Sequence, residues 1–353
     1  MKIAKWYNNR DIRIEQTPKP RPGAHEVLVK VISCGICGSD IVEWYRLPRA
    51  PLVPGHEIGA EVAEVGKLVK KYKPGDRVFI APKVPCMQCR YCLNGHYPVC
   101  STIRERLPGG FAEYILVPQT LVRNGTYHLP DAVTYDQSTF IEPLACVVRA
   151  QRLAGLRENQ TVMVMGCGMS GLLHVKLAKI KGCRIIATDL NPKRLEFAAQ
   201  LGAEVTINGA ENVAELMATA SGQKADLVIL CTSAISAVEQ AWKCVEKGGA
   251  LIFFAVPDPD KKVTIPINAF WTQEIKILTS YYCGPPDISD SIKLIEAGTI
   301  SVDDLITHRL PLKDIAEGFR LVIEGRESLK VIINPNLLIR ISECGIGKVK
   351  DMN

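Results

Sequence analysis

No stretch of about 18 consecutive apolar residues occurs in the chain, so no membrane-crossing helix is expected. The opening residues, MKIAKWYNNR, lack the apolar core of a secretory leader. There is no internal repeat and no low-complexity segment. Charge of one sign is also scarce: the net charge is +6 over 353 residues. The one basic cluster, KLVKKYK at residues 67–73, has few aromatics and no partner motif. It reads as a solvated face, so no nucleic-acid partner is expected. Thirteen cysteines without a leader argue against a disulfide framework. They suit metal ligation and buried thiols in a reducing compartment, and the expected location is the cytoplasm.

What is present fits a globular chain of about two domains. Hydrophobic content of 47% and charged content of 23% allow a large core without staples. Up to about residue 148 the sequence is built from short β runs and turn signals, such as HEVLVKVISC, GAEVAEVG, PGDRVFI and GGFAEYILVP. From about residue 159 the style changes. QTVMVMG, CRIIATD, AEVTI, ADLVILC and GGALIFFAV are continuous apolar runs of strand length. Helix-like SGLLHVKLAKIKG, NPKRLEFAAQLG and SAISAVEQAWKCVEKG alternate with them. This pattern predicts right-handed βαβ units and a parallel sheet covered on both faces. The last strand candidate, LKVIINP, is expected to return to the first domain. The predicted division is a catalytic domain at 1–148, rejoined by 286–353, and a dinucleotide domain at 149–285. The tail IRISECGIGKVKDMN carries no readable signal.

VMVMGCGMSGLLHVKLAK places Gly166, Gly168 and Gly171 in G-x-G-x-x-G spacing, between a strand and a helix. That context predicts a turn for a dinucleotide pyrophosphate, with Met169 and Ser170 at the helix start, where free N–H groups meet phosphate. The next strand ends in Asp189, about 18 residues past the last glycine, where a carboxylate binds ribose hydroxyls and repels a 2′-phosphate. This favours NAD over NADP. Arg194, five residues on, can reach the adenosine ribose or a phosphate and pulls the other way.

Two sets of metal ligands stand out. Cys86, Cys89, Cys92 and Cys100, in PCMQCRYCLNGHYPVC, have intervals of two, two and seven residues. Four close thiolates suit tetrahedral zinc and leave no position for a substrate, so the site reads as structural. An iron–sulfur cluster is the rival, but the seven-residue interval and the lack of a proline after Cys100 depart from that pattern. The second set is dispersed: CGICGSD, VPGHEIGAEV and FIEPLACVV supply Cys34, Cys37, Ser39, Asp40, His56, Glu57, Glu142 and Cys146. None is decisive alone. The C-x2-C pair Cys34/Cys37 lacks the βαβ setting of a redox motif.

Together, CGICGSD, VPGHEIGAEV, GDRV, the four-cysteine lobe, GGFAEY, EPLA and GCGMSGLLHVKLAK resemble the zinc-containing medium-chain alcohol dehydrogenase family. The glutamate of EPLA is similar to the sorbitol and threonine dehydrogenase branch. The resemblance covers nearly the whole chain except the last fifteen or so residues. It implies an α/β protein with an irregular β-rich, GroES-like catalytic domain beside a doubly wound Rossmann domain. By resemblance, Cys37 and His56 are ligands of a catalytic zinc, and Glu142 is the third ligand, direct or through water. The resemblance makes Glu57 the adjoining carboxylate that exchanges with Glu142. Asp40 orients His56, and Ser39 relays the substrate proton. Cys34 and Cys146 become packed thiols. Val42 and Glu43 depart from the sorbitol dehydrogenase pattern, and Tyr281 stands where that pattern has arginine. Glu43, Trp44 and Tyr281 are expected at the substrate pocket.

The expected activity is hydride transfer from a secondary alcohol or polyol to NAD, giving a ketone, with two zinc ions per chain. L-threonine dehydrogenation is the alternative, in which Glu43 holds an ammonium group. A zinc-free quinone or enone reductase, a zinc-ribbon nucleic-acid binder and a non-catalytic NAD-binding module are weaker readings. The expected partner is a small alcohol, with no nucleic acid or membrane, in a homodimer or homotetramer.

Overall fold

The computed structural model describes residues 1–102 and 105–336. The tail at 337–353 lies outside the described residues. No helix among them is long and apolar enough to cross a membrane.

The first part of the chain is β-rich. A hairpin of Lys2–Asn8 and Asp11–Gln16 leads to the central strand Val27–Gly35. That strand pairs antiparallel with Glu57–Val65, which continues through Arg77–Ile80 to Thr126–His128. Tyr114–Val117 adds to the same central strand. The last strand among the described residues belongs to this sheet. Lys330–Asn334 pairs antiparallel with Val27–Gly35 and parallel with Ile306–Pro311.

The continuous apolar runs form a six-stranded parallel sheet. In space the order is Val205–Asn208, Arg184–Asp189, Thr161–Met165, Ala225–Leu230, Val245–Phe253 and Lys276–Thr279. Counting these strands along the chain gives 3-2-1-4-5-6, the doubly wound order with its switch point at the first strand. Strand residues such as Val162, Val164, Ile185 and Ile229 are fully buried, as strands covered on both faces require.

Two details differ from the sequence reading. Val213–Ser221 forms a helix that the sequence reading did not single out. The helix read through VEKG stops at Cys244, and Val245 already pairs with Ala225. Tertiary pairing outweighs a helix-compatible sequence there.

The helix Ile141–Leu153 joins the two halves. It carries Glu142 at its start and packs on Pro285–Glu296.

Candidate active site

The donors from the first domain converge because two paired strands end together. Gly35, at the end of one strand, faces Glu57, at the start of its neighbour. Cys37 follows the first and His56 precedes the second, so 19 positions of sequence collapse into one site. The ligand atoms of Cys37, His56 and Glu57 lie within 4.8 Å of one another. Gly35 is needed here: a Cβ would stand 2.3 Å from Glu57 Oε2 and 2.6 Å from Lys330 Nζ.

A short turn over Gly38–Asp40 fixes the rest. The Cys37 N–H donates to Asp40 Oδ2 at 3.1 Å, and the Ser39 N–H donates to Cys37 Sγ at 3.4 Å. Asp40 is fully buried and its Oδ1 lies 3.4 Å from His56 Nδ1, which leaves the other ring nitrogen for a metal. Burial opposes ionisation of Asp40, but His56 and Arg46 outweigh it and hold its pKa below the usual value. Arg46 donates to Asp40 Oδ1 at 2.6 Å and to Ser39 Oγ at 3.2 Å.

Glu57 and Lys330 form an ion pair at 2.5 Å, with both side chains fully buried. Glu57 Oε1 is buried and has no hydrogen-bond partner. An orphaned carboxylate oxygen beside a thiol and an imidazole is a site that a divalent cation completes. Glu142 stands in a neighbouring cluster, with Cys146 and Cys283 within 4.8 Å. Its Oε1 accepts from Cys146 Sγ at 3.5 Å, and burial raises its pKa. Cys146, expected as a packed thiol without a metal role, does pack against the core. It also touches Glu142 and lines the same cavity as Cys37. Cys34 is a buried thiol, its pKa pushed up by burial.

That cavity, of about 600 Å³, is lined by Cys37, Ser39, His56 and Glu142 together with Ser170 from the glycine turn. Metal donors and the dinucleotide fingerprint therefore share one space. Tyr281 lines it too, with its hydroxyl 2.7 Å from that of Tyr45. Glu43 and Trp44, expected at the substrate pocket, are not among the residues lining this cavity. Glu43 Oε1 accepts from the Asn9 N–H at 2.9 Å, and Trp44 is 40% exposed. Both sit on the helical turn Glu43–Arg46, which sends Tyr45 and Arg46 to the cavity instead.

In the dinucleotide half, Gly168 caps the helix Met169–Ile180. Gly171 permits the close turn: a Cβ there would meet the Gly166 carbonyl oxygen at 1.9 Å. Asp189 accepts from the Cys167 N–H at 2.6 Å and the Asn191 N–H at 2.8 Å, so its carboxylate braces the turn from the next strand. Arg194 Nη1 lies 3.9 Å from Asp189 Oδ2, and its Nε is buried without a partner.

The four-cysteine lobe is built for a closed metal shell. All four sulfurs fall within 4.8 Å of one another, with Cys89 to Cys92 at 3.5 Å and Cys89 to Cys100 at 3.9 Å. Tetrahedral zinc with bonds of about 2.3 Å sets sulfurs about 3.8 Å apart. The Cys89 N–H and the Gln88 N–H donate to Cys86 Sγ. Hydrogen bonding from the Cys92 and Ser101 N–H groups, then from their side chains, outweighs burial and lowers the Cys89 thiol to about 5. Thiolate is the form a metal takes.

Two family models match: the alcohol dehydrogenase GroES-like domain over residues 23–130, and the zinc-binding dehydrogenase domain over residues 171–297. Sorbitol dehydrogenase of Bacillus subtilis is 31% identical over 352 residues, covering 95% of this chain and 98% of that protein. This chain belongs to the zinc-containing medium-chain alcohol dehydrogenases, in their sorbitol dehydrogenase-like branch. Two solved structures agree with that placement. The 2R,3R-butanediol dehydrogenase of Bacillus subtilis matches with a TM-score of 0.83 at 29% identity, covering 95% of this chain and 99% of that one. A zinc-binding dehydrogenase from Sinorhizobium meliloti, bound to NADP, matches with a TM-score of 0.84 at 28% identity and the same coverage. This dehydrogenase is accordingly a zinc- and NAD(P)-linked enzyme acting on CH–OH groups.

Several residues of the dehydrogenase site escaped the sequence reading: Lys330, Arg46, Tyr45, Lys83, Arg106 and Cys283. Arg46 had one available signal, its place six residues after Asp40 and within reach of a helical turn. Lys330 had none, since its partner is 273 residues away.

Proposed function

We propose that this dehydrogenase oxidises a secondary alcohol or polyol to a ketone with NAD as hydride acceptor. The observation that carries this reading is the single cavity shared by Cys37, His56, Glu142 and Ser170. Cys37 and His56 would hold the catalytic zinc with Glu57 or Glu142 as the exchangeable carboxylate. Cys86, Cys89, Cys92 and Cys100 would hold a second, structural zinc. At the first site zinc supplies a Lewis acid that eases deprotonation of an alcohol hydroxyl.

The chain's own groups do the rest. Asp40 fixes the His56 ring. Ser39 Oγ accepts from Arg46 and donates to Cys37 Sγ at 3.4 Å, so it is held beside the reacting hydroxyl as the proton relay. The glycine turn and the start of the helix Met169–Ile180 bind the cofactor's phosphates. Asp189 supports NAD as the preferred cofactor, through ribose hydrogen bonds and repulsion of a 2′-phosphate.

The amino-alcohol alternative loses its support, because Glu43 is committed to Asn9. We take the chain to be a cytoplasmic homo-oligomer. All twelve cysteines among the described residues are free thiols. Among the described residues the edge strand Lys276–Thr279 is unpaired on one side, and the helix before it exposes Ile267 and Trp271.

An NAD-reduction screen over sugar alcohols, diols, threonine and simple secondary alcohols tests the reading. Sugar alcohols or diols should give the highest kcat/KM; threonine in first place, or no alcohol oxidised, contradicts it.

A further inference from the structure

Four cationic side chains line the cavity: Arg46, Arg49, Lys83 and Arg106. Glu142 is the one carboxylate among the described lining residues. Arg46 is paired with Asp40. The other three form no ion pair among the described residues. Two of them lie over aromatic rings instead. The Arg49 guanidinium lies 4.7 Å from the ring centre of Tyr45, and the Lys83 ammonium lies 4.8 Å from that of Tyr281 and 4.3 Å from that of Tyr282.

Lys83 is the telling member. It is only 8% exposed, and burial, with Arg106 nearby, lowers its pKa; Glu142, the one carboxylate of the cavity, offsets this only in part, and no carboxylate forms an ion pair with Lys83 among the described residues. The surrounding field is positive enough to be felt by its neighbours. Burial opposes ionisation of Tyr45, yet the Tyr281 hydroxyl and the charges of Arg49, Arg46 and Lys83 bring its phenol below the usual value. A neutral polyol would leave these charges uncompensated. An anionic oxygen group would offset them in a site of low dielectric.

We propose that the alcohol taken by this cavity carries an anionic oxygen group, a phosphate monoester or a carboxylate, at the end away from the reacting carbon. Lys83, Arg106 and Arg49 hold that group. The proposal deepens the polyol reading above and rests on it. Three unpaired cations match a phosphate monoester, with its charge of about −1.5 to −2, better than a single carboxylate charge. The cofactor's phosphates have their own place at the glycine turn, which leaves the basic wall for the substrate.

The test uses the zinc-loaded enzyme at saturating NAD, with sorbitol and erythritol, their terminal phosphates, and gluconate. An anionic substrate is expected to exceed its neutral parent in kcat/KM by about 100-fold or more. The phosphate arm leading identifies an ester, and the gluconate arm leading identifies a carboxylate. Arg106→Gln changes an exposed residue and should fold. It should lower the anion-to-neutral ratio about tenfold, and Lys83→Met should do the same. Calorimetric binding of the phosphate esters to the NADH-bound enzyme should weaken in parallel. Neutral polyols equal to or better than their anionic counterparts overturn the proposal while leaving the polyol reading intact. A rise in KM for NAD alone in Arg106→Gln also overturns it, by assigning the charges to the cofactor. Oxidation of none of these compounds, nor of any other alcohol, removes the polyol reading and the proposal together.

Discussion

Glu57 and Lys330 are fully buried, and each needs the other's charge. Removing one member of such a pair strands the other, at a cost of about 3–5 kcal/mol. Lys330→Met is therefore expected to lower stability by about that much in urea unfolding. Lys330→Met combined with Glu57→Gln should recover part of the loss, because no lone charge remains buried. An unchanged midpoint in the single variant would contradict the pairing. At Asp189 the carboxylate braces the glycine turn through the Cys167 N–H, and in the proposed reading it also binds the cofactor ribose. Asp189→Ala should raise KM for NAD and shrink the preference over NADP, read from kcat/KM with each cofactor. An unaltered preference would remove Asp189 from cofactor selection. Cys37, His56 and the glycines were legible because their motifs are local. Lys330, Lys83 and Arg106 were not, because they matter only through partners that the fold brings from distant segments. Glu43 and Trp44 show the opposite limit: their motif is local, but one helical turn decides that Tyr45 and Arg46 are the side chains lining the cavity.

The helix Ile141–Leu153 ties the two metal sites together. Glu142 stands at its start, and Arg149, two turns on, donates to the Gly95 carbonyl of the cysteine lobe at 3.1 Å. The lobe thus buttresses the helix that presents Glu142. Its zinc has little apolar core to assist it, since Leu93, Met87 and Val99 are exposed. Cys92→Ser should lower the melting temperature and the zinc content, with kcat falling only at temperatures where the lobe loosens. Loss of kcat at low temperature with an unchanged melting temperature would make the lobe catalytic instead. In the dinucleotide half, the helix Met169–Ile180 buries His174 completely, and burial lowers its pKa to about 3. The unfolded chain binds a proton near pH 6.5 and the folded chain does not, so stability falls as pH drops from about 6.5 toward 3. By pH 5 this amounts to about 2 kcal/mol. His174→Gln should lose less stability than the parent between pH 7.5 and pH 5 in urea unfolding, and an equal loss would contradict the assignment.

At the scale of the whole molecule, the two halves obey different periodicities, and the sequence showed this directly. Alternating short runs became an antiparallel sheet; continuous apolar runs became a parallel one. The return of LKVIINP to the first sheet was also legible, because it is a β run after the last βαβ unit. The helix Val213–Ser221 and the early strand start at Val245 were not, because pairing and packing with other segments decide them. Bringing Ser170 and Cys37 to one cavity is a property of the assembled halves, and it is why alcohol and cofactor can meet there. The most direct test combines zinc analysis with turnover in Cys37→Ala. The parent should contain about two zinc ions per chain and the variant about one. The variant should keep its NAD affinity and lose NAD reduction. A parent with a single zinc, or a variant that still turns over, would contradict a catalytic metal at Cys37 and His56.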